Sequence, residues 1–292
     1  MNPLPPGAPH PLKTTSDQIQ KAIGRIENFS AAPRILGRAI ALLRDEQCDT
    51  DTVAALISSD SALAADIIRI SNSVYFRGDL PIQNVEGALQ RLGFRKSMRL
   101  LSLSVSRILT RGNLDNYCIS AEDFWAESLF NGILMEELAR DTGAADPADA
   151  YTAGLLRYIG RLAINQSIDT LGGGLSWIGV ETLTQWEMDK VGITYAEAGG
   201  MLLRRWDFPE ALIIACEGQE RPALLPAPSW LASALFFVSS VLPQDFNQPF
   251  APSLGPIANS DFLHSNNLSV AAVEQIFADA CVVYQETCQA LS

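Results

Sequence analysis

Histidine is almost missing from this chain, with His10 in a proline-rich head and His264 towards the other end its only two imidazoles. Neither lies near a recognisable nucleophile motif, so a Ser-His-Asp or Cys-His arrangement has no base to draw on. Cysteine is sparse too. Cys48, Cys118, Cys216, Cys281 and Cys288 include no Cys-x-x-Cys pair and no zinc spacing, and an odd number cannot all pair within one chain. Reduced thiols and a cytoplasmic setting are the expectation, with Cys281 and Cys288, two helical turns apart, filling a helix face. Long apolar runs are lacking: Trp230 to Leu242 includes three serines and is too short to cross a bilayer. The head, MNPLPPGAPHPLK, has five prolines but neither the basic start nor the apolar stretch of a signal peptide. Positive charge is short as well, 21 Lys and Arg against 33 Asp and Glu, and the net charge of -12 repels polyanions. General binding to nucleic acid or to an acidic membrane is disfavoured unless positive charge gathers locally.

Apolar residues are plentiful, at 48%, enough to bury a core in one large domain or two small ones. They recur at helical spacing: Val53, Leu56 and Ile57, then Leu63, Ala64, Ile67 and Ile68, then Val85, Ala88, Leu89 and Leu92. Asp60 and Asn84 stand where N-caps are needed, and Gly93 stands where a left-handed C' residue would close the third helix. Residues 1–15 read as a flexible tail, a helix is expected from Ser16 with Ile19, Ala22, Ile23 and Ile26 on one side, and Pro33 opens another. A further helix runs from Phe94 to Arg111, burying Phe94, Met98, Leu101, Val105, Ile108 and Leu109. Gly112 to Asn116 reads as a linker. The next helix starts at Phe124 and carries Leu129, Ile133, Leu134 and Leu138. Pro243 to Asn267 reads as an irregular connection, and Ser269 caps a last helix with Val273, Ile276, Phe277, Ala280 and Val283 that packs back on the middle of the chain. The five tryptophans, spread among these helices, read as core residues. The fold class is all-α.

Between Gly87 and Leu114 there is no acidic residue, while Arg91, Arg95, Lys96, Arg99, Arg107 and Arg111 all fall there. Arg91, Arg95 and Arg99 share one helix face if the helix continues past Gly93, and otherwise flank a turn. The stripe is either a docking surface for a phosphate-bearing ligand or acidic partner, or a solvated face that offsets acidic neighbours. Gly172-Gly173-Gly174 lacks the Gly-Lys-Ser/Thr ending of a phosphate loop and reads as a helix end.

The run SSDSALAADIIRISNSVYF, then PIQNVEGALQRLG, resembles the signature of HDOD domains, helical bacterial signalling modules related to the HD phosphohydrolases. Asn72-Ser73 and Leu92-Gly93 match it, while Ser61 stands where the family usually has proline. Phe124-Trp125-Ala126-Glu127-Ser128 is similar to Phe-Trp-x-His-Ser, with Glu127 at the histidine. Ala153-Gly154-Leu155-Leu156-Arg157-Tyr158-Ile159-Gly160-Arg161 is similar to the helix that names the HD superfamily, with Arg157-Tyr158 at the His-Asp positions. Tyr195 stands at the next histidine, and Gln219 and Glu220 at a His-His pair. The resemblance covers about Ala32 to Pro222.

What the resemblance implies is an N-terminal lobe over residues 16–112 and an HD-like lobe with C-terminal helices over 113–292. The six substituted positions, Glu127, Arg157, Tyr158, Tyr195, Gln219 and Glu220, would then line the former metal cleft. HD enzymes use bound metal to make hydroxide and polarise phosphoryl groups. Arginine has no acceptor, so Arg157 cannot be a ligand and would repel a cation beside it. Carboxylates such as Asp149, Glu127 and Glu220 remain as magnesium ligands in principle. The implied function is a non-catalytic regulatory module without a cofactor, whose partners are signalling proteins such as kinases, response regulators or cyclic-dinucleotide enzymes. A small ligand is allowed. The alternatives are a metal-dependent phosphohydrolase with unusual ligands and a cyclic-dinucleotide or other nucleotide receptor.

Overall fold

The computed structural model describes residues 18, 21–23, 31–43, 49–73, 81–242 and 260–291, without the side chains of Leu43, Phe94, Ala290 and Leu291. The proline-rich tail with His10, the start at Ser16, Ile19, Ile26, Cys48, the stretch 74–80 and residues 243–259 lie outside them.

Helices α1 (Ala32–Leu43), α2 (Thr50–Ser58), α3 (Ser61–Ser71) and α4 (Val85–Leu109) form the first part. The caps sit where the sequence placed them: Asp60 accepts from the Ala62 and Leu63 N–H groups at 3.0 Å each, and Asn84 from the Gly87 N–H at 2.8 Å. Asn72 closes α3 and staples the following loop. Its amide donates to the Ile82 carbonyl at 2.8 Å while its oxygen accepts from the Ile82 N–H at 2.7 Å.

Gly93 breaks the helix where expected, with a further helical run from Phe94, but its geometry differs: at φ 70° and ψ 174° it is a kink within α4 and not a left-handed cap. The positive φ is open to glycine at little cost. The stretch 112–120 is also more than a linker. Leu114, Asn116 and Tyr117 are buried, Leu114 pairs with Ile119 in an isolated bridge, and Asn116 bonds to Asn165 and Asp169. Among the described residues there is no named strand.

Helix α5 (Ala121–Thr142) is the axis of the remainder, with Leu129, Phe130, Ile133, Leu134, Met135 and Leu138 fully buried. Around it lie α6 (Pro147–Leu156), α7 (Ile159–Thr170), α8 (Leu183–Trp186, winding into a π-turn over Glu187–Val191), α9 (Tyr195–Arg205), α10 (Glu210–Gly218) and α11 (Trp230–Val241). A short α12 (Asp261–Ser265) interrupts the connection expected to be irregular and carries His264 on its exposed side. In α13 (Val270–Leu291), capped by Ser269 as expected, the Phe277 and Tyr284 rings pack on Phe130 at 6.3 and 5.9 Å.

Two glycines set the spacing of the helices that carry the site. A Cβ on Gly154 would lie 2.4 Å from the Asn131 carbonyl oxygen, and one on Gly160 would lie 1.9 Å from that of Tyr195. So α6 presses on α5, and α7 on α9, at distances only glycine allows. Of the tryptophans, Trp186 and Trp206 are buried, and Trp125, Trp177 and Trp230 pack partly buried against the core. No helix among the described residues is long and apolar enough to cross a membrane.

Candidate functional site

Arg157 and Tyr158 are the only residues between α6 and α7, and both side chains are buried at this junction. The Arg157 side chain is wholly buried. Its Nε donates to Gln219 Oε1 at 3.1 Å, one terminal nitrogen to Asn131 Oδ1 at 2.9 Å, and the other to the Leu235 carbonyl at 3.1 Å and the Ser239 hydroxyl. Gln219 completes the clamp, its amide donating to the carbonyls of Arg157 and Cys216 at 2.9 Å each. Four of the five guanidinium donors are thus spent on neutral acceptors from three separate elements: α5, the end of α10, and α11. Its remaining face stacks on the Tyr158 ring, 4.6 Å from the centroid.

A second cation lies one turn along. Arg161 sits 3.7 Å over the Tyr158 ring and 5.0 Å from that of Tyr195. Its Nη1 is 3.5 Å from Glu127 Oε2, an ion pair too long to be a hydrogen bond. Burial pushes the Glu127 carboxyl up and outweighs Arg161 and Arg157, which act to lower it. Burial works against the charge on Arg161, but Glu127 and the surrounding phenols more than offset this, so the guanidinium stays charged. Burial also raises the Tyr158, Tyr195 and Tyr117 phenols, which remain neutral hydrogen-bonding groups.

The far side is built on Glu187, in the π-turn after α8. It is fully buried and accepts from the Tyr117 hydroxyl at 2.9 Å and the Tyr195 N–H at 2.8 Å. Burial pushes its carboxyl up to about 7 despite both bonds. Glu220 accepts from the Tyr195 hydroxyl and, at 3.3 Å, from Thr184.

All six positions singled out from the sequence, Glu127, Arg157, Tyr158, Tyr195, Gln219 and Glu220, therefore converge. Asn131, Arg161, Glu187 and Ser239 complete the network and were not singled out. A weak signal existed for two of them: Asn131 lies four residues after Glu127 on the same helix, and Arg161 stands within the quoted HD-like run, four residues after Arg157. Glu187 stands just ahead of the Gly192 to Gly199 motif that carries Tyr195, a position the sequence marks without giving it a role, and Ser239 had no signal, because packing alone brings it in. Metal does not fit here. The donor set holds no imidazole, a buried guanidinium occupies its middle, and the described residues contain no group of three His, Cys, Asp or Glu side chains able to hold an ion. Asp149 lies in the first turn of α6.

The basic stripe divides at the Gly93 kink, so Arg91 and Arg95 flank a bend. Arg99 turns inward and pairs with Glu136 at 3.2 Å, both side chains nearly buried. It belongs to the packing and not to an exposed docking face. Arg91, Arg95 and Lys96 are exposed, with Arg95 4.0 Å from Asp146. Asn72 acts through its loop staple, described above.

A protein-family model for the HDOD domain matches residues 30–222. An uncharacterized protein of Treponema pallidum (strain Nichols) is 26% identical over 208 residues, which cover 69% of this chain and 40% of that protein. The chain thus spans well under half the length of this curated relative. Among solved structures, an HDOD domain protein of Geobacter sulfurreducens superposes with a TM-score of 0.68 at 18% identity, covering 94% of this chain and 97% of that one. A candidate phosphohydrolase of Shewanella amazonensis SB2B gives 0.67 at 20% identity, covering 94% and 98%. These structural likenesses bear on the fold. With the family model spanning both the Asn72 staple and the Arg157 cluster, the chain belongs to the HDOD domain family.

Proposed function

We propose that this protein is a non-catalytic regulatory module, in which the cleft that holds metal in HD phosphohydrolases has become a structural core. The observation that carries the reading is the Arg157 guanidinium, buried and spent on Gln219, Asn131, Leu235 and Ser239. A fixed positive charge there opposes a divalent cation and supplies no acceptor to bind one. It also leaves no guanidinium edge for an anion, so the cluster serves stability. Output then passes through the surface, to signalling proteins that meet such features as the exposed Arg91, Arg95 and Lys96 on an otherwise acidic chain.

The test is metal content and hydrolysis in one preparation, purified without chelators and assayed against a phosphodiester with added manganese or magnesium. Sub-stoichiometric metal and no turnover above background are expected. Stoichiometric metal with turnover overturns the proposal. Arg157→Met supplies the structural arm. Removing the cation leaves Asn131, Gln219 and Leu235 with unmet acceptors, and urea unfolding is expected to show a loss of about 3–5 kcal/mol.

A further inference from the structure

A groove of about 460 Å³ lies where the end of α4, the start of α5 and the last turns of α13 meet, and it shares no residue with the Arg157 cluster. Arg107, Arg111, Glu122, Trp125, Tyr284 and Cys288 supply its functional groups. The volume falls in the range of small-molecule sites.

Two features of its lining point to an anion. Arg107 and Arg111 are four residues apart at the end of α4, and among the described residues neither has an ion-pair partner, in a chain with 33 acidic residues. The shielded Nη1 of Arg107 and indole N–H of Trp125 have no protein acceptor. An oxyanion seated in the groove would supply the acceptors that both donors lack. Glu122 contributes one opposing charge, so the groove keeps an excess of one positive charge. It is also flanked by the opening turn of α5, whose N–H groups favour negative charge.

The remaining lining is aromatic and apolar. Trp125 and Tyr284 supply aromatic rings, Ala121 and Ala126 are small neighbours, and Tyr284 and Cys288 bond to each other. Arginine favours phosphate through its planar fork, and aromatic rings favour a flat, polarisable body. We propose that this groove is a binding site for a mononucleotide, with its phosphate on Arg107 and Arg111 and its base against Trp125 and Tyr284. The inference is independent of the reading of the Arg157 cluster: a nucleotide could bind here whether or not that cluster holds metal.

Isothermal titration of the intact protein with AMP, GMP, guanosine and inorganic phosphate tests it. Saturable one-site binding of AMP or GMP is expected, weakened by about tenfold or more without the phosphate, and weakened again between about 50 and about 200 mM salt. Arg111→Gln lies on the exposed rim, and its variant should keep the wild-type circular dichroism while losing nucleotide affinity by about tenfold. Arg107→Gln should lose it further. No saturable binding of either nucleotide, or binding unchanged in Arg111→Gln, overturns the proposal. Inorganic phosphate binding as tightly as the nucleotides also overturns it, since the aromatic wall would then contribute nothing.

Discussion

Single side chains in this protein act mainly by being buried with the right partners. Glu187 shows it with a sign that can be checked. Its carboxyl is held near 7 in the folded protein against about 4.5 when exposed, so the folded state keeps a proton that the unfolded chain has released. Stability therefore falls as pH rises from about 4.5 to about 7 and levels off above, by ~3 kcal/mol for this group. Glu127 and Glu136, also raised by burial, act in the same direction. Glu187→Gln can keep both hydrogen bonds, with its oxygen on the Tyr195 N–H and its amide on the Tyr117 oxygen, and has no proton to lose. Urea unfolding at pH 5 and pH 7.5 should show the variant losing less stability between the two than wild type. Equal losses would mean that Glu187 does not change its protonation between the two. Cys216 belongs to the same class of buried group, its thiol pushed up to about 12 by burial and so unreactive at neutral pH.

At the scale of elements, the contacts that decide geometry are backbone against backbone. Gly160 meets the Tyr195 carbonyl and the Gly199 N–H, neither of which can swing away. Gly160→Ala should force α7 from α9, costing about 3 kcal/mol or more, and should loosen the Tyr158–Tyr195 ring pair now 5.3 Å apart. Denaturant midpoint and near-ultraviolet circular dichroism read the two effects. Asn72 makes the matching case for a loop. Asn72→Ala removes both bonds to Ile82 and one to Ile68, so a loss of about 2 kcal/mol is expected, with faster amide exchange at Ile82 as its local signature. A wild-type exchange rate at Ile82 would show that the loop is held by other means. Much at this scale could be read from the chain: the caps at Asp60, Asn84 and Ser269 depend on neighbours within three residues. The break at Gly93 was legible too, but its kinked geometry was not, because the angle between the two helical runs depends on what each packs against.

Across the whole molecule one apolar cluster runs from Ile23 to Ala280. It crosses residue 112, where the sequence suggested a linker, and polar links cross with it: Ser102 Oγ lies 3.0 Å from Thr152 Oγ1, and Arg99 pairs with Glu136. On α1, Gly37 lies so close to the Trp206 carbonyl that a Cβ would stand 2.3 Å from it, which locks the first helices to the turn after α9. Heating should therefore give one calorimetric transition with matching van't Hoff and calorimetric enthalpies. Two resolved transitions would show that the parts on either side of residue 112 unfold separately.

Helical periodicity, N-cap chemistry and the order of the motifs were settled by the residues themselves, because each depends on neighbours a few positions apart along the chain. The six positions that converge around Arg157 were visible for the same reason, as departures from a local pattern. That Arg157 is satisfied by Asn131, Gln219, Leu235 and Ser239, and that Arg99 turns inward to Glu136 and leaves the stripe, was decided only when distant helices met. Burial and partner choice are properties of packing in three dimensions, and no spacing along the chain encodes them.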